Sequence, residues 1–266
     1  MKLNRVSKLK VALLDSGIGG WSFLTKIEEK YPQHTYLYYA DQKNSPYGNK
    51  SFSELEAITH NWISLFKEQE IDLLILACNT LTASFKATFQ RHLNVPVYGT
   101  TDGLIEDSIG EENLVLLATV STVKSSWYNK IFPNKNLFSV GSTWLAATIE
   151  KKFSLTKTEL DMLKLEVENI VSNNWESMIL GCTHYPLIKN QLELIWPNKQ
   201  FIDPAETIVE KLSDYLMCSC VDSNIIMYTT GDASLLEKQV RSFFNEKKQK
   251  KISSAKIRQT EGGLIR

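Results

Sequence analysis

The sequence predicts an α/β protein built from two similar parallel-sheet halves, and three observations carry that reading. Short apolar runs alternate with helix-period segments along nearly all 266 residues. Two of those runs end at a cysteine that is followed at once by hydrogen-bonding residues. A strand, then a glycine- or hydroxyl-rich turn, then a helix occurs twice, in "VALLDSGIGG" (11–20) and "LVLLATVSTVKSS" (114–126). A cysteine strand follows each, and Cys78 and Cys182 lie 104 positions apart, about one small domain's length. With 43 % hydrophobic residues the chain can fill one large core or two small ones.

The elements follow in order. "LKVALLD" (9–15), "TYLYYA" (35–40), "IDLLILA" (71–77), "NLVLLA" (113–118), "ESMILG" (176–181) and "NIIMYTT" (224–230) are nearly continuous in apolar residues. Strands buried on both faces look like this. In "SFSELEAITHNWISLFKEQ" (51–69), Phe52, Leu55, Ile58, Trp62 and Phe66 recur at helical spacing. Ser51 or Ser53 can cap that helix, with Glu54 or Glu56 close behind. Strand–helix–strand repetition implies parallel sheets covered by helices on both faces. Ligands in such sheets sit beyond the carboxyl ends of the strands, where both cysteine motifs fall. One motif set per half places the site between the halves.

The charge balance of 30 basic and 30 acidic residues provides no global field for nucleic acid or a membrane surface. The opening "MKLNRVSKLKVALLD" lacks the uncharged core of a signal peptide, and no apolar run approaches a membrane span. Four cysteines are too sparse for a disulfide scaffold, so a soluble protein of a reducing compartment is expected. Cys218 and Cys220, in "CSC", lack the second pair that a zinc site wants and read as plain helix positions. The tail "NEKKQKKISSAKIRQ" (245–259) reads as a solvated, partly ordered terminus, being short and without interleaved aromatics.

Three segments bear on chemistry. "DSGIGG" (15–20) ends the first strand with Asp15 and Ser16, and its turn is either a tight connection or an anion cradle. Gly17, Gly19 and Gly20 are too closely spaced for a dinucleotide fingerprint. "ADQKNSPYG" (40–48) fixes a loop around Tyr47, either for binding or for packing. "LACNT" (76–80) and "LGCTHYPL" (180–187) are the most informative. A lone buried cysteine is commonly a small hydrophobe, but two thiols at strand ends that open helices occupy places where reactive thiols occur. His184 follows Cys182 by two residues and Asp15 ends the first strand, so each thiol has a candidate proton partner. Only one histidine is close to a thiol and no Cys-x-x-Cys is present, which disfavours a metal. Inverting a stereocentre needs two groups of similar basicity on opposite faces, and a thiolate facing a thiol meets that need.

"LLDSGIGG", "PYG", "LACNT", "ATVSTVKSSWY" and "LGCTHYPL" occur in the order and approximate spacing of the glutamate racemases, a family that residues 11 to about 208 resemble. The resemblance implies two Rossmann-like α/β domains with pseudo-twofold symmetry and glutamate in the cleft between them. Residues 1–98 with 208–266 would form one domain and 99–207 the other, with "DPAET" (203–207) returning the chain to the first. It further implies a cytoplasmic homodimer that uses no cofactor and no metal and feeds D-glutamate to peptidoglycan synthesis. Neither nucleic acid nor a membrane is expected as a partner. By position, Cys78 would act on the D-enantiomer and Cys182 on the L-enantiomer, assisted by Asp15 and His184. Ser16, Tyr47, Gly48, Asn79, Thr80, Thr119, Thr122 and Thr183, together with Asp15 and His184, would hold the substrate, and Glu150 would support the histidine.

The sequence departs from the family pattern at Ala40 and Ala118, where relatives usually have glycine. "YGTTDG" (98–103) replaces an apolar, proline-containing turn, and Ala146, Ala147 and Thr148 precede Glu150 in place of a Val-Pro-Leu pattern. These changes touch loop geometry more than the proton-transfer groups. The alternatives are an aspartate or broad-specificity racemase, a non-catalytic module binding an acidic ligand, and a thiol oxidoreductase. Binding alone needs neither thiol, and a redox pair lacks a resolving motif.

Overall fold

The structure, a computed structural model, describes residues 8–105, 109–172, 174–216, 223–243, 252–260 and 263–265. Along the chain run β1 (Lys10–Asp15), α1 (Gly19–Lys30), β2 (Thr35–Ala40), α2 (Phe52–Glu68), β3 (Leu73–Leu76), α3 (Asn79–His92) and β4 (Val97–Gly99). There follow β5 (Asn113–Thr119), α4 (Val120–Lys124), α5 (Trp127–Ile131), β6 (Asn136–Ser142), α6 (Leu145–Lys152), α7 (Lys157–Glu168), β7 (Ser177–Gly181), α8 (Lys189–Ile195) and β8 (Gln200–Ile202). The chain ends in α9 (Pro204–Lys211), β9 (Asn224–Thr229), α10 (Ala233–Phe243), β10 (Ile252–Lys256), β11 (Arg258–Thr260) and β12 (Gly263–Ile265).

Two parallel sheets result. The first has the order β10-β9-β2-β1-β3-β4 and the second β6-β5-β7-β8. The runs β2-β1-β3-β4 and β6-β5-β7-β8 are one permutation used twice, so β1 corresponds to β5 and β3 to β7. The two sheets are α/β layers of the kind the sequence predicts. On the first sheet, Val11 and Leu13 face a core with Trp21 of α1 and Ile208 of α9, while Ala12 and Leu14 face Trp62 of α2 and Phe85 of α3. On the second, Val115 and Leu117 pack with Ile149 of α6 and Leu163 of α7. Burial on both faces explains the unbroken apolar runs. Among the described residues no helix is long and apolar enough to cross a membrane.

All six predicted strand runs form strands. β4, β6 and β8 are additions that the apolar pattern did not announce. β4 and β8 have only three residues each, and most of β6 is exposed or half-buried. Ser51 caps α2 in a complete capping box with Glu54, which rigidifies the helix start. Phe52 does not join the buried stripe of α2: it is 62 % exposed and lies against Phe85, with ring centroids 4.8 Å apart. Part of the tail read as solvated is sheet instead. β10 pairs parallel with β9, and β11 and β12 form an antiparallel pair. Ile257 and Leu264 supply the apolar anchor, buried in the core beneath α2. Cys218, Cys220 and residues 244–251 of the tail lie outside the described residues.

The chain crosses between the sheets after β4 and again at α9. Gly103 lies where a β-carbon would meet the backbone of Thr207 and Ile208, so "YGTTDG" packs directly on the returning helix. Lys26 of α1 adds an ion pair to Asp203 at 2.6 Å.

Candidate active site

Four interior strands place the polar groups. Asp15 ends β1, Thr119 ends β5, Cys182 follows β7 directly, and Cys78 lies two residues beyond β3. Cys78 is the N-cap residue of α3 in extended conformation, so the free N–H groups of the first turn surround its sulfur. Both thiols are buried. Asp15, Ser16, Asn79, Thr80, Thr119, Thr122, Thr183 and His184 are buried polar residues of the same region.

The two thiols have different neighbours. Cys182 Sγ is 3.6 Å from His184 Nδ1, and the opposite ring nitrogen Nε2 is 2.5 Å from Glu150 Oε2. Burial opposes charge on the imidazole, yet the bonds to Cys182 and Glu150 raise His184 well above its ordinary pKa. Burial also acts to raise Glu150, but the His184 bond and the Ile18 N–H bring it below the carboxylate norm. A proton on His184 therefore rests between a sulfur and a carboxylate.

Around Cys78 the balance is reversed. Burial, reinforced by the charge of Asp15, raises the thiol well above its usual value, against the pull of the Leu81 and Thr80 N–H groups. The helix N-terminus, expected to lower it, loses to desolvation. Asp15 is itself pushed up to about 6 by burial, opposed by His184 and by the N–H groups of Gly20 and Gly17. Its Oδ2 accepts from those N–H groups at 2.9 and 3.1 Å. A carboxyl group poised near neutrality beside a reluctant thiol can take or return a proton.

Bonds between the halves close the site. The Thr183 hydroxyl donates to Asp15 at 3.4 Å, and Glu150 accepts from the Ile18 N–H at 3.0 Å. Thr80 Oγ1 lies 3.0 Å from Thr119 Oγ1 and 3.3 Å from Thr122 Oγ1, and the latter two are 3.0 Å apart. Gly48 packs against Thr119, where a β-carbon would collide. The space bounded by Cys182, Asn79, Thr100 and Thr183 holds about 10 Å³, room for about one water.

Tyr47 is buried in the same core as Cys78, whose charge acts on it. Its hydroxyl donates to Asp41 Oδ2 at 2.6 Å and is committed there. Asp41 also accepts from Thr230 Oγ1 at 2.6 Å and Trp62 Nε1 at 3.2 Å, tying the 41–48 loop to α2 and to the end of β9. Sequence reasoning passed over Asp41, although it begins the loop that reasoning singled out. It also missed Thr100 and Tyr128, whose hydroxyls both donate to Asn79 Oδ1, at 2.9 and 2.7 Å. They hold the carbonyl side of the amide and leave its NH₂ group to donate elsewhere. Gln239, which donates to the Glu150 carbonyl at 3.1 Å, had no sequence signal at all.

Paired parallel sheets with a thiol at the matching strand end of each define a class of α/β enzyme that works between its halves. The model of the family described as Asp/Glu/Hydantoin racemase matches residues 22–212. The chain belongs to that family, and it is an isomerase. It is similar to the glutamate racemase of Lactobacillus helveticus, 28 % identical over 89 % of this chain and 93 % of the relative. It is also similar to the glutamate racemase of Prochlorococcus marinus, 31 % identical over 78 % of this chain and 80 % of the relative. Among solved structures, the glutamate racemase of Francisella tularensis in complex with D-glutamate shares the fold. That match has a TM-score of 0.81 at 23 % identity and covers 93 % of this chain and 96 % of the other.

Proposed function

We propose that the protein is a cofactor-independent glutamate racemase that interconverts L- and D-glutamate by a two-base transfer between Cys78 and Cys182. The observation that carries this is the equivalence of the two thiols: each follows the third strand of the same four-strand permutation, with His184 in contact with Cys182 and the charge of Asp15 acting on Cys78. The named relatives are glutamate racemases, which favours glutamate as the substrate.

With L-glutamate, the Cys182 thiolate removes the α-proton and the Cys78 thiol delivers its proton to the opposite face. The reverse reaction exchanges the roles. The electron pair left on the α-carbon spreads into the adjacent carboxylate, which hydroxyl and amide donors in a closed cleft stabilise. His184, backed by Glu150, supplies and receives the Cys182 proton, and Asp15 does so for Cys78. Ser16, Asn79, Thr80, Thr119, Thr122 and Thr183 hold the substrate, with Gly48 giving close backbone approach and Tyr47 fixing its loop. Residues 1–98 and 208–266 act as one domain and 99–207 as the other. The product D-glutamate serves peptidoglycan synthesis in the cytoplasm, and the working form is a homodimer.

The test is circular dichroism or chiral chromatography of L-glutamate incubated with protein dialysed exhaustively against chelator. Racemisation is expected without added metal or cofactor. Cys78→Ala and Cys182→Ala should each abolish it, and each Cys→Ser should impair it severely, because a hydroxyl is far less acidic than a thiol. Activity that vanishes on chelation and returns with a metal, or an alanine variant working at near wild-type rate, overturns the two-thiol assignment.

A further inference from the structure

Both thiols are buried and hydrogen bonds join the two halves around them, so an amino acid reaches the thiols by parting a seam between the halves. The bonds joining the halves differ in strength around the site. On one side they involve the carboxylates of Asp15 and Glu150, and charge-assisted bonds are the stronger kind. On the other they join neutral groups. Ser121 Oγ donates to the carbonyls of Gly48 and Lys50 at 2.9 and 3.1 Å, and Asn49 Nδ2 donates to the Thr143 carbonyl at 2.7 Å. This neutral seam is the weaker edge.

A groove of about 950 Å³ lies on that seam, walled by Gly48, Lys50 and Phe52 from one half and Ser121, Lys124 and Thr143 from the other. Its floor reaches Gly48, which packs on Thr119, and Thr119 bonds to Thr80 beside Cys78. The groove's charged residues are Lys50, Lys124 and Glu54. Glu54 is turned back on the start of α2, accepting from Ser51 N–H at 2.8 Å and Ser51 Oγ at 2.6 Å. Neither lysine is within ion-pair distance of a carboxylate among the described residues, though the charge of Lys50 acts on Glu54, so the groove keeps a net positive charge. A second cavity of about 800 Å³ lies beside Glu150, but it sets Glu150 and Asp232 against Lys43 and Lys151 and carries no net charge.

We propose that the Gly48–Ser121 groove is the docking and entry site for the anionic amino acid, with Lys50 and Lys124 concentrating it at the seam. The identity of that amino acid rests on the glutamate reading above, but the attraction requires only a net negative small molecule. A positively lined cleft raises local anion concentration and on-rate, and salt screens the effect over about 10 Å.

The test uses two independent readouts on Lys50→Gln/Lys124→Gln, with the exposed Lys130→Gln as control. The first is alkylation of Cys78 and Cys182, followed by peptide mass spectrometry, with anionic iodoacetate and neutral iodoacetamide. Iodoacetate modification should slow about three- to tenfold in the double variant, while iodoacetamide modification and the control stay unchanged. The second is racemisation: kcat/KM for glutamate should fall by a similar factor and lose most of its salt dependence, with kcat retained. Alkylation rates that ignore reagent charge in wild type and variant alike overturn the entry site, whatever the substrate. Wild-type protein that leaves glutamate unchanged but shows the iodoacetate effect overturns the glutamate reading and supports the entry site.

Discussion

Cys78 and Cys182 occupy matching places yet meet opposite electrostatics, one beside a carboxyl group and the other beside an imidazole held by a carboxylate. Enantiomers have equal energy, so the ratio of kcat/KM values in the two directions stays at one in every variant. The asymmetry must appear in kcat and KM separately, or in isotope effects. His184→Asn should change the α-deuterium isotope effect mainly with L-glutamate, and Asp15→Asn mainly with D-glutamate. Identical effects for both enantiomers in both variants would dissolve the pairing of assistant to thiol. Asp15 also makes a stability prediction. Its folded pKa, about 6, lies above the ordinary aspartate value of 3.8, so its stabilising contribution is complete below pH ~4 and is lost as pH rises through 6. Asp15→Asn removes that titration. Its stability relative to wild type should rise by about 2–3 kcal/mol between pH 4 and pH 8, read by urea unfolding, and a difference that is flat with pH rejects it. The thiols were legible because each follows an apolar run, and His184 because it stands two residues after Cys182. Asp41, Thr100 and Gln239 were not, because their partners lie 6 to 189 residues away.

Elements that carry their own local signals were the ones read correctly. α2 announces itself by its apolar stripe and by Ser51 and Glu54, and the capping box follows. Ser51→Ala should cost about 1 kcal/mol, measured as a shift in the unfolding midpoint. β6 carries a weaker signal, since most of its residues are exposed or half-buried and its pairing with β5 places it in the sheet. The 41–48 loop is intermediate: its turn residues are visible, but the Asp41 bonds that set its course are not. That course matters at Gly48, where a β-carbon would press on Thr119 at the end of β5. Gly48→Ala should displace the loop from the second half while leaving both sheets folded. A shift of about 1 Å at such a point can cost about 10²-fold. The expectation is a kcat/KM loss of that order with an unchanged far-UV circular dichroism spectrum, and wild-type kcat/KM would show that the contact is slack.

Repetition at the scale of the whole molecule was faintly visible as two strand–turn–helix echoes and a 104-residue offset, and it emerges as one strand permutation used twice. What the echo could not convey is the inequality of the halves. β9 and β10 extend only the first sheet, and the apolar residues of α9 join the first sheet's core. The site exists only when the halves meet, because Asp15 and Thr183, or Thr80 and Thr119, come from different sheets. Closure therefore fixes the separation between the donors around Asp15 and those around Thr119, as a property of the assembled molecule. On the glutamate reading proposed above, a substrate with its two carboxylates one methylene closer together would leave one set of donors unpaired. In a purely apolar pocket one methylene discriminates by only about 10- to 200-fold, whereas polar groups left unpaired raise the ratio to about 10⁴ or more. The kcat/KM for aspartate should thus lie at least about 100-fold below that for glutamate, in both directions, when followed by chiral chromatography. Equal values for the two acids would mean that the closed cleft does not measure length, and the broad-specificity reading would replace the glutamate one.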